Sequence, residues 1–231
     1  MGSKKCVSSG RKAVVLLSGG LDSATALYYA KAAGFACHCL IFDYGQRHRR
    51  EIDSARKIAQ VAHCPFSEIK ISLPWKGSSL LDSKARIPSG IAQRKNRGAV
   101  IPNTYVPGRN IIFLSFALSC AETVGASAIF IGAHAQDYSG YPDCRPEFFR
   151  AFSRVAACGT KAGLEKKKIV IRNPLISKNK AQIIRLGHKL GVPFRLTWSC
   201  YRGGKRPCGV CDSCYFRKKG FIEAGLKDLA L

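Results

Sequence analysis

A glycine-rich turn near the N-terminus has the residue types that bind phosphate. It reads Ser18-Gly19-Gly20-Leu21-Asp22-Ser23 and lies between an apolar run, 13–17, and a run of helix-forming residues, 22–33. Between a strand and a helix, the backbone N–H groups of such a turn and the helix dipole converge on one anion. The turn lacks the Gly-Lys-Ser/Thr of the Walker loop and the third glycine of the dinucleotide fingerprint, so neither chemistry is implied. The alternative is an ordinary turn in which Asp22 or Ser23 caps the helix.

Four cysteines near the C-terminus have the spacing of a metal site. The pattern is C-x7-C-x2-C-x2-C, formed by Cys200, Cys208, Cys211 and Cys214. Four thiolates favour tetrahedral Zn2+, and a site closed by four protein ligands has no open position for catalysis. An iron–sulfur cluster and idle thiols are the alternatives. A structural zinc would hold the last predicted helix, 213–224, against the rest of the chain, so we expect metal loss to lower stability.

The elements that must position these residues alternate between strand and helix. Apolar runs predict strands at 13–17, 35–42, 66–71, 127–132 and 169–171. Helical spacing predicts helices at 22–33, 50–62, 109–124 and 145–157, with a further helix that Ser177 caps and that continues to Leu190. This alternation is typical of βαβ units, and it predicts an α/β fold with a mostly parallel, Rossmann-like sheet and helices on both faces. Ligands bind at the carboxyl ends of the strands in such sheets.

The chain divides into one main domain, 1–196, and a small zinc-binding subdomain, 197–231. Within the main domain, residues 73–108 lose all periodicity and are rich in Pro, Gly, Ser and Asn, so we interpret this segment as a functional loop, here called the flap. Its alternative is a merely solvated insertion. The flap carries a group of basic residues, Lys84, Arg86, Arg94, Lys95 and Arg97.

Composition indicates an ordinary globular protein of the cytoplasm. Of the 231 residues, 46% are hydrophobic and 23% are charged, no apolar run is long enough to span a membrane, and the first residues lack a signal-peptide core. The eleven cysteines are expected to be reduced, with four of them forming one metal site. The formal net charge of +24 attracts anions, but charge alone does not distinguish nucleotides, nucleic acid and membrane surfaces.

Two sets of motifs resemble known proteins. The turn Ser18 to Ser23 is similar to the pyrophosphate loop of the N-type ATP pyrophosphatases, which split ATP into AMP and pyrophosphate. Further segments follow in a specific order: DYGQRH at 43–48, PGRN at 107–110, SGYPDCRPEF at 139–148 and TWSCY at 197–201. Together with the four cysteines, they resemble the 7-cyano-7-deazaguanine synthase family of queuosine biosynthesis, over nearly the whole chain. The basic flap and the ending Asp228-Leu229-Ala230-Leu231 depart from what we expect of that family.

The resemblance implies an ATP-dependent ligase. In this reaction 7-carboxy-7-deazaguanine and ammonia form 7-cyano-7-deazaguanine through two successive adenylations, from acid to amide to nitrile. It also implies a homodimer. One structural Zn2+ per chain is expected at the four cysteines, and Mg2+ is expected with the ATP phosphates. Asp22 is the nearest carboxylate for Mg2+ and a catalytic candidate, against a purely capping role. The residues expected to bind ATP are Leu17, Ser18, Gly19, Gly20, Leu21, Asp22, Ser23, Ala24, Thr25 and Arg109.

Carboxylates are the side chains suited to recognise the deazaguanine base. A guanine-like edge presents two adjacent N–H donors that one carboxylate accepts, which makes Asp143 or Glu147 the first choice and Asp137 the next. Arg109 or Arg145 can hold the substrate carboxylate or a phosphate, or can be ordinary surface cations.

Three further side chains are candidates for a part in the chemistry. Cys144 is a candidate nucleophile for a thioester or thioimide route, against a role in packing. His48 and His134 follow predicted strands, so either can touch ATP or be a solvated loop histidine.

Two rival functions remain open at the level of sequence. One is a tRNA-modifying ATP pyrophosphatase that makes thiouridine or lysidine, which the charge favours but which normally needs an RNA-binding domain. The other is a zinc-containing nucleic-acid binder that uses the basic runs 166–168 and 217–219, although it leaves the motifs unexplained. Because the first rival lacks its RNA-binding domain and the second leaves the motifs unexplained, we expect a small-molecule substrate, no membrane contact and no requirement for nucleic acid.

Overall fold

A five-stranded parallel sheet forms the centre of the molecule. The computed structural model describes residues 10–75, 77–82, 84–87, 101–134 and 141–230. Its strands are β1 (Lys12–Leu16), β2 (Ala36–Asp43), β3 (Phe66–Lys70), β4 (Ala128–Phe130) and β5 (Val170–Arg172). Their order is β3-β2-β1-β4-β5, and every pairing is parallel. Val14 on the central strand is in register with His38 of β2 and Ile129 of β4. The predicted parallel sheet is confirmed.

Seven helices lie in the described part of the chain. They are α1 (Leu21–Ala32), α2 (Arg50–Val61), α3 (Arg109–Val124), α4 (Pro146–Cys158), α5 (Lys161–Leu164), α6 (Lys180–Lys189) and α7 (Asp212–Ala224). Single turns of 3-10 helix occur at Pro142–Cys144 and Phe194–Leu196. In the described residues no helix is both long enough and apolar enough to cross a membrane.

Helices cover both faces of the sheet, as the alternation predicts. Successive side chains of a strand point to opposite faces. Val15 therefore packs with buried residues of α1 and α2 such as Leu27 and Ile58. Val14 packs on the other face with buried residues of α3 and α4, including Leu114. The two cores fix the carboxyl ends of the strands, and with them the loops that follow.

A third apolar cluster attaches the C-terminal helices to the beginning of α1. Leu21 is buried with Ile183 and Ile184 of α6 and with Phe221 of α7. The contact places both helices beside the glycine-rich turn from Ser18 to Ser23, here called the phosphate turn, although they follow it by about 160 residues and more in the chain.

One predicted helix start is wrong. Asn179, not Ser177, is the N-cap of α6. The Asn179 side chain accepts a hydrogen bond from the Gln182 N–H at 2.9 Å, and the Gln182 side chain accepts one from the Asn179 N–H at 2.9 Å. This reciprocal capping box needs Glu or Gln three residues after the cap, which Asn179 has and Ser177 does not. The short helix α5 and both 3-10 turns were not predicted.

The two ends of the flap are joined to each other. The Ser79 N–H donates to the carbonyl of Asn103 at 2.8 Å, and the Asn103 amide donates to the carbonyl of Arg86 at 3.2 Å. Ile87 is buried against the cysteine cluster. Of the basic residues named for the flap, Arg94, Lys95 and Arg97 lie outside the described residues.

Candidate functional site

The phosphate turn is held by its own serines. The Ser18 N–H donates to the Ser23 hydroxyl at 3.2 Å, the two hydroxyls are 3.0 Å apart, and the Ser23 hydroxyl donates to the Gly20 carbonyl at 3.1 Å. Gly20 is the N-cap of α1, and among the described residues no side chain caps that end. The capping role considered for Asp22 or Ser23 is therefore wrong, and the first N–H groups of α1 remain available to an anion.

Two glycines allow neighbouring backbone to pack against the turn. Gly19 has φ +80°, and a Cβ there would lie 2.1 Å from the Glu51 carbonyl oxygen and 2.8 Å from the Ala55 nitrogen, both in α2. A Cβ on Gly132, just after β4, would lie 2.8 Å from the carbonyl carbon of Asp22. Helix α2 and the end of β4 therefore fix the turn from two sides.

The remaining predicted ATP-binding residues support the turn from behind. Leu17 and Ala24 are buried in the core with α1 and α2, and Leu21 is buried with α6 and α7. The Thr25 hydroxyl donates to the Leu21 carbonyl at 2.9 Å within α1. These side chains are turned into the protein, so a nucleotide would meet only their backbone.

Asp22 is paired with a lysine that the motif analysis did not identify. The Lys180 ammonium lies 2.8 Å from both carboxylate oxygens of Asp22 and 3.0 Å from Nε2 of His134. That imidazole nitrogen is also 3.6 Å from Asp22 Oδ2. Burial alone would raise the pKa of Asp22, but Lys180 and His134 outweigh it and hold that pKa well below its usual range. Lys180 is the first residue of α6, the helix that follows β5. This position after the end of a strand was the sequence signal that could have identified Lys180 as a site residue.

Arg109 lies with two of the other predicted residues at the start of α3. Its guanidinium donates to the Tyr44 hydroxyl at 3.3 Å. The Asn110 N–H donates to Asp143 Oδ2 at 3.0 Å, and the Asn110 amide donates to Cys144 Sγ at 3.2 Å. Asp143 and Cys144 are both buried. The structure therefore brings Arg109, Asp143 and Cys144 together, and Asp143 also satisfies a backbone N–H of the first turn of α3.

The other predicted substrate contacts lie elsewhere. Arg145 is exposed and is the N-cap of α4. Glu147 is exposed in the first turn of α4 and pairs with Arg150 at 2.9 Å. Asp137 lies outside the described residues. The structure does not bring Glu147 or Arg145 into the group around Arg109.

Glu51 is a second residue that the motifs did not reveal. It lies in the first turn of α2, whose backbone meets Gly19. Burial raises the pKa of its carboxyl to about 7, the positive charge of Arg109 offsets part of this, and Cys200 adds to it. The only sequence signal was its place three residues after the DYGQRH segment.

His48 packs against the C-terminal segment rather than on the turn. A Cβ on Gly203 would lie 2.3 Å from His48 Cβ, and the His48 ring is 6.3 Å from that of Trp198. Burial lowers the pKa of His48. The contact is consistent with a structural role at the junction of the two segments.

The four C-terminal cysteines form one compact group. Their Sγ atoms all lie within 4.8 Å of one another. The N–H groups of Arg202 and Cys208 donate to Cys200 Sγ at 3.4 and 3.3 Å, and the Cys211 N–H donates to Cys208 Sγ at 3.4 Å. Backbone donors to sulfur stabilise thiolates, and four soft donors at this spacing suit a tetrahedral metal ion.

The cysteine segment also contacts the phosphate turn directly. The Trp198 N–H donates to the Gly19 carbonyl at 2.9 Å. Arg217 of α7 is buried and pairs with Asp228 at 2.6 Å, and it donates to the Thr197 hydroxyl at 2.8 Å. These bonds hold the segment before Cys200 against the turn on one side and against α7 on the other.

Comparison with known proteins agrees with the motifs. The profile of the family described as "Queuosine biosynthesis protein QueC" matches residues 12–225. A 7-cyano-7-deazaguanine synthase from Trichodesmium erythraeum is 52% identical over 222 residues, covering 94% of this chain and 98% of that protein. Those from Anaeromyxobacter dehalogenans and Thermoplasma acidophilum are 51% and 50% identical, covering 97% and 94% of this chain and 97% and 90% of theirs. This chain belongs to the family of the queuosine biosynthesis protein QueC.

Proposed function

We propose that this protein converts 7-carboxy-7-deazaguanine and ammonia into 7-cyano-7-deazaguanine at the expense of ATP. The observation that carries the proposal is the phosphate turn, fixed by its serines and by α2, with the Lys180 ammonium beside it. Relatives with 50% identity or more across almost their whole length are named for this activity. Both steps require ATP to react at its α-phosphorus. The oxygen of a carboxylate or an amide is a poor leaving group, and it leaves readily once it is bonded to AMP.

We propose two successive adenylations at the same turn. A substrate carboxylate oxygen attacks the α-phosphorus of ATP and pyrophosphate leaves; ammonia then displaces AMP, which departs with that oxygen and leaves the amide. The amide oxygen attacks a second ATP, and loss of AMP and the amide protons yields the nitrile. The N–H groups at the start of α1 and the Lys180 ammonium are placed to stabilise the departing pyrophosphate.

Magnesium fits the site on one condition. Bound with the ATP phosphates, the ion would supply neutralisation of the charge that develops on pyrophosphate. Asp22 is the carboxylate of the turn, but both of its oxygens are within 2.8 Å of Lys180. We propose that Asp22 would hold the metal and that the Lys180 ammonium would then contact phosphate, so the total positive charge near the nucleotide would increase.

Residues around Arg109 are the proposed substrate site. Arg109 lies beside Tyr44, Asp143 and Cys144, where a guanidinium can hold a carboxylate. We propose Asp143 for recognition of the base, because Glu147 is exposed and paired with Arg150; Asp137 is the next choice. A thioimide on Cys144 is the alternative route to the nitrile, and full activity of Cys144→Ser would exclude it.

The C-terminal segment has a structural part in this scheme. We propose that Cys200, Cys208, Cys211 and Cys214 bind one Zn2+. In this division of the chain, residues 197–231 form a zinc-binding subdomain that follows the nucleotide-binding domain, 1–196. Four thiolates leave no position for substrate, so the metal would supply stability and no chemical step. Ammonia as the nitrogen donor, a homodimer and a cytoplasmic location with its ATP supply complete the proposal.

Product analysis tests the proposed function. The zinc-loaded protein is incubated with MgATP, ammonium and 7-carboxy-7-deazaguanine, and products are identified by mass spectrometry. We expect the nitrile together with AMP and pyrophosphate, and a large loss of all three in Asp22→Asn. Exposed Glu147→Gln is the matched control and should remain active. Intact ATP with no nitrile would refute the proposal and direct attention to tRNA substrates.

A further inference from the structure

A glycine in the cysteine-bearing helix makes room for the lysine of the phosphate site. Gly220 is buried within α7, and a Cβ there would lie 2.5 Å from Lys180 Cγ, 3.1 Å from Lys180 Cβ and 2.9 Å from Ile184 Cδ1. Glycine inside a helix costs about 1 kcal/mol relative to alanine. The Gly220 backbone is not in the left-handed region, so conformation does not require glycine here. Its role is the space that it leaves for the lysine side chain.

The Lys180 side chain therefore has contacts at both of its ends. Its first carbons lie across Gly220 of α7, and its ammonium lies against Asp22 and His134. Only 14% of the side chain is exposed. Free lysine side chains keep much rotational freedom, which a single contact at the ammonium would not remove. The packing at Gly220 limits the directions in which the ammonium can move.

Helix α7 is a firm support for this contact. The helix begins at the cysteine group, with Cys211 as its N-cap and Cys214 in its first turn. Farther along, Arg217 forms a buried ion pair with Asp228 at 2.6 Å, and Phe221 is buried in the cluster around Leu21. A shift of α7 would disturb all of these contacts, so the surface at Gly220 has a defined position relative to the turn.

We propose that Gly220 is a positioning residue for ATP cleavage, through which α7 sets the Lys180 ammonium against the phosphate turn. The inference rests on the proposed adenylation. It assigns the C-terminal segment a part in ATP cleavage as well as in stability. An alanine at position 220 would displace Lys180 near its root, and the displacement grows toward the ammonium.

The test is a double-mutant cycle at Gly220 and Lys180. Formation of AMP from MgATP is measured with 7-carboxy-7-deazaguanine and ammonium, and the affinity for a non-hydrolysable ATP analogue is measured by calorimetry. Zinc content and the thermal midpoint are recorded for every variant. We expect Lys180→Ala to lower the rate by roughly 10² to 10³-fold. Gly220→Ala should lower it by roughly 10 to 100-fold, as a displacement of about 1 Å does.

The double variant separates positioning from simple damage. Lys180→Ala removes the nearest clashing atom, Cγ at 2.5 Å, and the ammonium with it, so Lys180→Ala/Gly220→Ala should match Lys180→Ala within about twofold. Ile222→Ala, at an exposed site on α7, is the control and should keep wild-type activity and zinc. Because the added methyl also meets Ile184 Cδ1, Ile184→Val/Gly220→Ala relieves that clash alone. This variant should fold and remain impaired even if Gly220→Ala alone does not fold.

Two results would overturn the inference. One is that folded Gly220→Ala forms AMP within about threefold of the wild-type rate. The same holds if Ile184→Val/Gly220→Ala forms AMP within about threefold of the rate of Ile184→Val. The other is a loss at Gly220 that persists in full when Lys180 is already alanine, because contacting residues should not act independently. If the wild-type protein makes no AMP, the proposed function itself fails, which is a distinct outcome.

Discussion

Two glycines with the same backbone angle provide a direct test of how the phosphate turn is held. Gly19 has φ +80° and Gly34 has φ +81°. A Cβ on Gly34 meets no atom within 4 Å, whereas a Cβ on Gly19 would lie 2.1 Å from the Glu51 carbonyl oxygen. Alanine at either position carries the same left-handed penalty, on the order of 1 kcal/mol. The difference between the two variants therefore isolates the contact between the turn and α2.

The size of that difference follows from the contact. The 2.1 Å approach at Gly19 must open by more than about 1 Å to reach an ordinary separation between carbon and oxygen. Both atoms near the new methyl group, in Glu51 and Ala55, belong to the backbone, so no side-chain rotation relieves the clash. The turn must move, and a misplacement of about 1 Å at a catalytic centre costs roughly 100-fold in rate.

The assay compares folding with catalysis. We expect Gly34→Ala to lower the free energy of unfolding by about 1 kcal/mol in urea titration and to keep full AMP formation. Gly19→Ala should lose at least as much stability and roughly 100-fold in the rate of AMP formation. If Gly19→Ala retains activity within about threefold of Gly34→Ala, the turn is not held by α2 and the reasoning is refuted.

Three other perturbations should give measurable results. Cys214→Ser should remove the metal, seen by elemental analysis, and lower the thermal midpoint by about 2 to 4 °C for each kcal/mol that the metal contributes; an unchanged midpoint would contradict a structural metal. Asp228→Asn should cost about 3 to 5 kcal/mol in urea titration because it leaves Arg217 buried without its partner, and a loss below about 1 kcal/mol would contradict this. The pKa of Glu51 is raised from 4.5 to about 7, so folded protein binds the proton more tightly and loses stability as pH rises through that window. Glu51→Gln should therefore gain stability relative to wild type between pH 4.5 and 7 in urea titrations, and a constant difference would contradict the shift.

The sheet and most helices could be predicted because their signals are local. Helix α3 was predicted with its observed bounds, Arg109–Val124, since the helical pattern runs between Gly108 and Gly125, both in the left-handed conformation. The parallel sheet followed from alternation of buried strands with helices. The start of α6 was missed by two residues because Ser177 and Asn179 are both good caps. Only the reciprocal bond with Gln182 distinguishes them.

The site could be predicted in part, for the same reason. The turn from Ser18 to Ser23 and the four cysteines are short motifs; the structure places the turn between a strand and a helix and brings the four sulfur atoms together. The sequence did not reveal Lys180 as a site residue because its partner Asp22 is 158 positions away, and the pairing depends on how α6 packs against α1. Glu51 was missed because its raised pKa comes from burial, which no pattern of residues at that position encodes.

The most direct test of the account follows the oxygen atoms of the substrate. 7-Carboxy-7-deazaguanine labelled with 18O in both carboxylate oxygens is converted in unlabelled water, and AMP is analysed by mass spectrometry. Two adenylations predict two AMP molecules for each nitrile, each with one 18O, because each oxygen leaves on phosphorus. Nitrile formed with unlabelled AMP, or with 18O released into water or inorganic phosphate, would contradict the central claim that both oxygens leave as part of AMP.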